Sequence, residues 1–348
     1  MDSIVVNRKF VLHKKNNDLE IRRYVPMEMI GRGSYGIVMK CKDKRTNEVV
    51  AIKKITSSYF SMPEALREIT ILKKLSNHTH LISFLNVFRV KQILYIVFPY
   101  MDYNMYEYIN KHYSNGLGYD LTKEYMIQVI RGIDYMHEHH VIHRDIKPDN
   151  ILLTRNGVIK LCDLGISKLI CPTSFGAELL MTPGMGTLWY QAPEMLLGIK
   201  KYGTEVDIWS IGIVFTEFMS GQPVITGKTS INQYRSIIRN FGIAIEDQKY
   251  FNEIMKNTHY SIVSMNYTNS YKYENVGKAL KNYYPLWPNE LVEIVSKCLQ
   301  FKPTRRKSAK YLLNEPYFRN GDFLEKFAHT LNDKIRNNTG FQVLKVHK

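Results

Sequence analysis

The stretch His143-Arg144-Asp145-Ile146-Lys147-Pro148-Asp149-Asn150, followed thirteen residues after Asn150 by Asp163-Leu164-Gly165, constrains this chain more than any other feature. It sets carboxylates, a lysine and an amide at fixed offsets around one turn-forming proline. Moving a γ-phosphoryl group needs little covalent chemistry from a protein, so the side chains must position an acceptor hydroxyl and neutralise charge on phosphates and metal ions. Asp145 is the candidate to accept the hydroxyl proton, and Lys147 the candidate to steady the γ-phosphate. Asn150 and Asp163 offer oxygen ligands of the kind Mg²⁺ prefers.

A chain of 348 residues, 45% of them hydrophobic, can bury one large core or two smaller ones, and its composition is that of a globular protein. The apolar stretches around 92–101 and 208–219 are too short to span a bilayer, and residues 1–23 hold no long apolar run, so a cytoplasmic or nuclear location without membrane is expected. Cys41, Cys162, Cys171 and Cys298 show neither CxxC nor His-paired spacing, which argues against a metal site and fits a reducing compartment. The net charge of +16 favours polyanions in general, yet it is spread along the chain, which argues against a dedicated nucleic-acid surface.

Residues 1–23 read as a solvated basic extension, with Lys14-Lys15-Asn16-Asn17-Asp18 ahead of a first strand near Tyr24. From there to about Val97 the pattern is mostly strand-like, including the β-rich run Val49–Ile55, with one helix over Pro63–Leu75 behind a proline in its first turn. After Pro99 the character changes: 121–140 and 205–219 have the apolar faces of long helices, and helical runs alternate with Pro and Gly breaks as far as Phe318. The reading is α+β and bilobal, with a small β-rich lobe (about 24–100) and a larger helical lobe (about 101–318). A hinge at Met101–Asn104 makes a ligand-binding cleft the expectation. Residues 319–348 form a tail that reads as a packed terminal helix in preference to a docking segment.

Gly31-Arg32-Gly33-Ser34-Tyr35-Gly36 has strand-like sequence on both sides, which fits a hairpin folding over phosphates better than a strand-to-helix turn. Fifteen residues past Val38, Lys53 shares a strand face with Ala51 while Lys54 points the other way, so Lys53 is the candidate phosphate ligand. Glu68, mid-helix, is the candidate to hold Lys53 extended; Glu64, one turn earlier, is the competing choice.

With these parts in place, residues 24–318 resemble the eukaryotic protein kinases, most of all the cyclin-dependent and cyclin-dependent-kinase-like branch of the CMGC group. Thr187-Leu188-Trp189-Tyr190-Gln191-Ala192-Pro193-Glu194 is similar to that branch's TLWYRAPE, and Val206-Asp207-Ile208-Trp209-Ser210 precedes the long insert of the group. The resemblance implies the bilobal kinase fold, ATP with Mg²⁺, and protein hydroxyls as substrates. By the same likeness Ile30, Gly31, Gly33, Gly36, Val38, Ala51 and Leu152 contact the nucleotide, Phe98 is the gatekeeper, the backbones of Pro99 and Met101 bond adenine, and Arg306 pairs with Glu194.

The likeness also places an activating phosphothreonine at Thr182, with Arg67, Arg144 and Lys168 as its cationic partners, and inhibitory sites at Ser34 and Tyr35. A phosphate carries close to two negative charges and three acceptor oxygens, so such a converging cluster would order the loop. An upstream activating kinase follows from the resemblance. A cyclin-like activator stays undecided, because Met62-Pro63-Glu64-Ala65-Leu66-Arg67-Glu68 coincides only in part with the family's cyclin-recognition sequence. Leu164 in place of Phe keeps an apolar plug. Gln191 in place of Arg, with Gly186 just before the loop Thr, suggests that a strained backbone device shaping a pocket for Pro is lost.

Overall fold

The computed structural model describes residues 17–33, 36–55, 62–91, 93–170, 186–244, 247–257 and 275–336. The chain divides into two compact units, Met1–Asn77 with Ile82–Met101, and His78–Leu81 with Asp102–Lys348.

The first unit is a helix α1 (Asn17–Arg23), then β1 (Tyr24–Gly33), β2 (Gly36–Asp43), β3 (Val49–Ile55), a helix α2 (Met62–Lys74), β4 (Asn86–Val90) and β5 (Ile93–Pro99). The strands form one antiparallel sheet in the order β1-β2-β3-β5-β4. Period-two alternation gives it two faces. One face buries Ile55, Leu94 and Ile96 against Ala65 and Ile69 of α2. Its opposite gathers Cys41, Val50, Ile52, Phe88 and Val97 with Tyr24, and Ile21 of α1 packs there.

Here the structure departs from the sequence reading. The expected solvated extension ends early, because Asn17–Arg23 is helical. Its polar composition hides two tertiary anchors: Ile21 in the core cluster, and Arg23, whose guanidinium donates to both carboxylate oxygens of the buried Asp43. Packing of this kind overrides weak local propensity.

The glycine hairpin has one position where only glycine fits. Gly36 sits at φ +142°, and a Cβ there would lie 2.0 Å from the Lys54 carbonyl oxygen of the neighbouring strand.

In the second unit, β6 (Tyr103–Asn104), α3 (Met105–His112), α4 (Gly118–Glu138), β7 (Val141–Ile142), β8 (Ile151–Leu153), β9 (Ile159–Leu161) and β10 (Lys168–Leu169) precede the helices. Those are α5 (Pro193–Leu196), α6 (Glu205–Ser220), α7 (Ser230–Phe241), α8 (Gln248–Asn257), α9 (Val276–Tyr283), α10 (Asn289–Cys298), α11 (Ala309–Leu312), α12 (Pro316–Arg319) and α13 (Phe323–Arg336). The core helix is α6, buried without a break from Val206 to Phe218. An element apolar all round belongs inside, and α4 and α10 pack on it. No helix among the described residues is long and apolar enough to cross a membrane.

Two small ladders frame the motif residues: β6-β8-β9, and β7 with β10. Residues 143–150 run from β7 to β8, and 162–167 from β9 to β10, with the Cys162 N–H donating to the Asn150 carbonyl at 3.0 Å. His78–Leu81, which the sequence reading leaves in the small lobe, belongs to this unit. The Leu161 N–H donates to the His80 carbonyl at 2.9 Å, and Lys160 Nζ to the Thr79 carbonyl at 2.6 Å. At the other end α13 buries Phe327 and Leu331, four residues apart on one face, and pairs Lys334 with Glu124.

Replacing Gly36 with Ala should therefore force β2 away from β3. The expected result is a loss of about 2–5 kcal/mol, read as a melting temperature lower by about 5 °C or more. An unchanged melting temperature would mean that the hairpin does not approach β3 this closely.

Candidate active site

Within the first unit, sheet register sorts the candidates. Val38 is opposite Lys53 and Ala51 opposite Phe98, on the face that carries α2, whereas Lys54 is opposite Tyr95 on the other face. Lys53 Nζ donates to Glu68 Oε1 at 2.8 Å, with both side chains nearly buried. Glu68 comes to this place because Ala65, Ile69 and Leu72 turn the same side of α2 inward. Glu64 lies where side chains are not described. Gly31 is opposite Val38, Ile30 is an exposed extra residue between register pairs, and Gly33 closes the ladder opposite Gly36. Pro99 is opposite Val50 at the end of β5, and Met101, half-buried, is the last residue of the unit. Ser34 and Tyr35 lie outside the described residues. Arg67 is exposed on α2.

In the second unit, Asp145 is surrounded by donors. Its Oδ2 accepts from Asn150 Nδ2 at 2.9 Å and faces Lys147 Nζ at 3.0 Å, while its Oδ1 accepts the Thr187 N–H at 2.7 Å. Lys147 also donates to Thr187 Oγ1. Asn150 Nδ2 donates a second time, to the Asp145 carbonyl at 2.8 Å. With the amide nitrogen so committed, the Asn150 oxygen is the atom not used in that pair. Asp163 stands at φ +58°, two residues past β9, and Leu164 after it is buried. Leu152 is half-buried in β8. A carbonyl-type oxygen and a carboxylate make a donor set suited to Mg²⁺.

The loop is held from below by α6. Asp207, fully buried, accepts the His143 N–H at 2.9 Å, the Arg144 N–H at 2.8 Å and His137 Nε2 at 2.8 Å. Burial alone would raise this carboxyl, but the hydrogen bond from His137, the electrostatic attraction of the His137 and His143 side chains, and the Arg144 amide outweigh it and hold Asp207 below the ordinary value. These bonds support Arg144 at φ +70°, a conformation uncommon for any residue but glycine. His143 Nδ1 accepts the Asp145 N–H at 3.2 Å and Nε2 bonds the Cys162 carbonyl at 3.0 Å, an arrangement that suits the Nε2–H tautomer.

The proposed phosphate partners are only partly placed. Arg144 is buried with Nε donating to the Ile166 carbonyl at 2.6 Å and Nη1 to Tyr202 Oη at 3.4 Å. Lys168 is half-buried in β10 opposite Ile142. Thr182 lies outside the described residues.

The sequence reading of Gly186, a residue that takes positive φ without strain, matches the backbone observed. The left-handed backbone before the loop Thr is present: Gly186 stands at φ +96°, where a Cβ would lie 2.5 Å from the Arg144 carbonyl oxygen, and its own carbonyl accepts Gln191 Nε2 at 2.8 Å. What has gone is the strain, because glycine adopts this conformation freely, and the cap is a neutral amide. The pair of Arg306 with Glu194 does form, at 2.5 and 2.8 Å, and is buried.

Residues 24–318 match the family profile described as Protein kinase domain. The chain belongs to the protein kinase family. It is 36% identical over 339 residues to the cyclin-dependent kinase-like 2 protein of Rattus norvegicus, covering 94% of this chain and 64% of that protein. The human protein of the same name is 35% identical over 320 residues, 91% of this chain and 62% of the relative. Cyclin-dependent kinase-like 4 of Mus musculus is 34% identical over 301 residues, 86% of this chain and 84% of the relative. The chain thus spans less than two thirds of the length of the cyclin-dependent kinase-like 2 proteins that it matches.

Glu217 is a feature of the kinase domain that sequence reading missed. Glu217, near the end of α6, is buried beside a cavity of about 200 Å³ lined also by Tyr106, Asn110, Trp189 and Gln222. Tyr190 Oη donates to its Oε2 at 2.7 Å. Burial pushes Glu217 up from 4.5 to about 7, against the Tyr190 hydrogen bond and with the help of Asp149. A glutamate inside an apolar helical run gave no sequence signal beyond its own unexplained burial. Below pH 7 the folded domain keeps a proton that the unfolded chain releases above about 4.5, so stability falls as pH rises through that window, by about 3 kcal/mol in all. Glu217→Gln should flatten this fall, seen by comparing urea unfolding of the two proteins at pH 5 and pH 8; parallel profiles would refute it.

Proposed function

We propose that the chain is a Ser/Thr protein kinase that transfers the γ-phosphate of ATP to protein hydroxyls. The observation that carries this reading is the Asp145 carboxylate with Lys147 and Asn150 both within 3.0 Å of it. Asp145 accepts the proton of the Ser or Thr hydroxyl as its oxygen bonds to phosphorus and the bond to the departing ADP breaks. Lys147 neutralises charge on the transferred group, and its bond to Thr187 keeps it aimed. Lys53, held extended by Glu68, steadies the nucleotide phosphates, beneath the hairpin of Gly31, Gly33 and Gly36. Ile30, Val38, Ala51 and Phe98 line the base, which bonds the backbones of Pro99 and Met101. Asn150 and Asp163 would hold Mg²⁺, which supplies charge neutralisation between the phosphates.

The same reading places regulation at Thr182. Phosphate there recruits Arg67, Arg144 and Lys168, and Arg144 is already fixed through Ile166 and Tyr202. An upstream kinase would supply that phosphate. A cyclin-like activator, inhibitory phosphorylation of Ser34 and Tyr35, and a cytoplasmic or nuclear location complete the proposal.

Transfer of radiolabelled phosphate from ATP to a general basic protein tests it. Asp145→Asn should lower the rate about 10²- to 10⁴-fold while ATP binding persists, and Thr182→Ala should lower it about tenfold or more by removing charge-assisted bonds to the loop. Wild-type protein that binds ATP yet transfers nothing, even after treatment with an activating kinase and with cyclins added, would make it a nucleotide-binding scaffold instead.

Gly186 bears on substrate choice. Its carbonyl is capped by a neutral amide, a bond worth about 1 kcal/mol, and glycine can relax away from the left-handed region without penalty. We expect a weaker requirement for Pro after the phosphorylated residue than is usual in the group. A peptide array would show less than about a tenfold preference; a larger one would overturn the expectation.

A further inference from the structure

We infer that Arg23 is a positioning residue for the glycine hairpin, acting from outside the residues that match the family. The inference rests on the reading of Gly31–Gly36 as the cover of the ATP phosphates.

The hairpin has an asymmetry that needs an anchor. β1 spends ten residues on a ladder that β2 completes in eight. The two extra residues are Met27 and Ile30, because register steps from Pro26 opposite Cys41 to Glu28 opposite Lys40, and from Met29 opposite Met39 to Gly31 opposite Val38. Each bulge breaks the ladder locally and adds twist. A strand with two such interruptions can redistribute them, and a shift of one residue turns its side chains to the other face. Both ends must be pinned for Ile30 and Gly31 to stay where they are.

The tip is pinned by Gly36 against the Lys54 carbonyl. The base is pinned by Arg23. The outermost register pair is Tyr24 with Asp43, and Arg23 stands just before it. Its Nε donates to Asp43 Oδ1 at 2.7 Å and its Nη2 donates to Oδ2, a fork on a planar carboxylate that fixes orientation as well as distance. The Arg23 carbonyl accepts the Lys44 N–H at 2.9 Å, which adds a backbone bond to the same joint. Asp43 in turn accepts the Arg45 N–H at 2.9 Å, and its carbonyl accepts the Asn47 N–H at 2.8 Å, so the base of the hairpin is continuous with the turn into β3. Asp43 is buried and Arg23 mostly so. The pair is therefore screened far less than a surface bridge.

The experiment uses the full chain with Arg23→Ala, Arg23→Lys and Lys53→Met. It reads the Kd for ATP, KM for ATP and for a peptide, and hydrogen exchange of β1. Arg23→Ala should raise the ATP Kd and KM about fivefold, leave the peptide KM within about twofold, and speed exchange at 27–33 more than in β3 and β5. Arg23→Lys keeps the charge but not the fork, and should fall between wild type and Ala. The inference is overturned if Arg23→Ala lowers only the melting temperature, with ATP affinity and exchange at 27–33 unchanged. It is overturned equally if Lys restores nothing in a protein that is folded by circular dichroism. Should Lys53→Met bind ATP as tightly as wild type, the nucleotide reading itself fails, and exchange at 27–33 alone then decides whether Arg23 pins the hairpin.

Discussion

A single buried carboxylate, Asp207, underlies the geometry of the whole transfer centre. It lies inside the helix that forms the middle of the second unit, and takes up the backbone N–H groups of His143 and Arg144. Holding Arg144 at positive φ costs about 1–3 kcal/mol, whereas each hydrogen bond to a charged group contributes about 1.5–3. Two such bonds outweigh the strain, and the return of the chain at Arg144 is what aims Asp145, Lys147 and Asn150 at one another. The shape of the loop is set by this helix, so the chemistry depends on an element buried without a break from Val206 to Phe218.

Other buried charges repeat the pattern. Arg306 is bidentate to Glu194 and also donates to the carbonyls of Gln300, Glu205 and Phe301, with Trp209 stacked on its guanidinium at 5.2 Å. Such a pair is justified only when every remaining donor is satisfied, because desolvation otherwise exceeds the Coulombic gain. Three of the partners of Arg306, namely Glu194, Glu205 and Trp209, lie in helices, so the segment carrying Glu194, directly after Thr187–Gln191, is tied to the central helix. Ser210 adds to this by donating to the Tyr190 carbonyl at 2.7 Å from one turn of the same central helix.

The sequence was informative wherever chemistry sits on a local pattern. Lys53 could be chosen over Lys54 because strand periodicity alone decides which side chain shares a face with Ala51, and Glu68, mid-helix, could be put forward with Glu64 one turn earlier left as the competing choice until the ion pair with Lys53 was seen. Both depend on neighbours within a few residues. The features that escaped depend on distant partners. Asn17–Arg23 looks like solvated chain until Asp43, twenty residues later, is placed against Arg23. His78–Leu81 looks like small-lobe connection until Leu161 bonds His80 from the second unit. Glu217 looks like an intruder in an apolar helix until Tyr190 donates to it. At Gly186 the substitution could be seen, but not that Gln191 would reach back five residues and preserve the shape that the missing arginine normally serves.

That last case separates two ways of making the same backbone. A side chain forced into the left-handed region stores strain that a charged partner must offset, so both are needed and either loss collapses the arrangement. Glycine stores none, and a neutral amide suffices to orient its carbonyl. The cost is stiffness: a conformation reached freely is left freely, and only the close approach to the Arg144 carbonyl opposes larger residues there. The glycine hairpin makes the opposite bargain, with Gly36 wedged against Lys54 at the tip and an ion pair closing the base. Under the proposed function, selection among substrates would rest on the softer of the two devices, and handling of the nucleotide on the more constrained one.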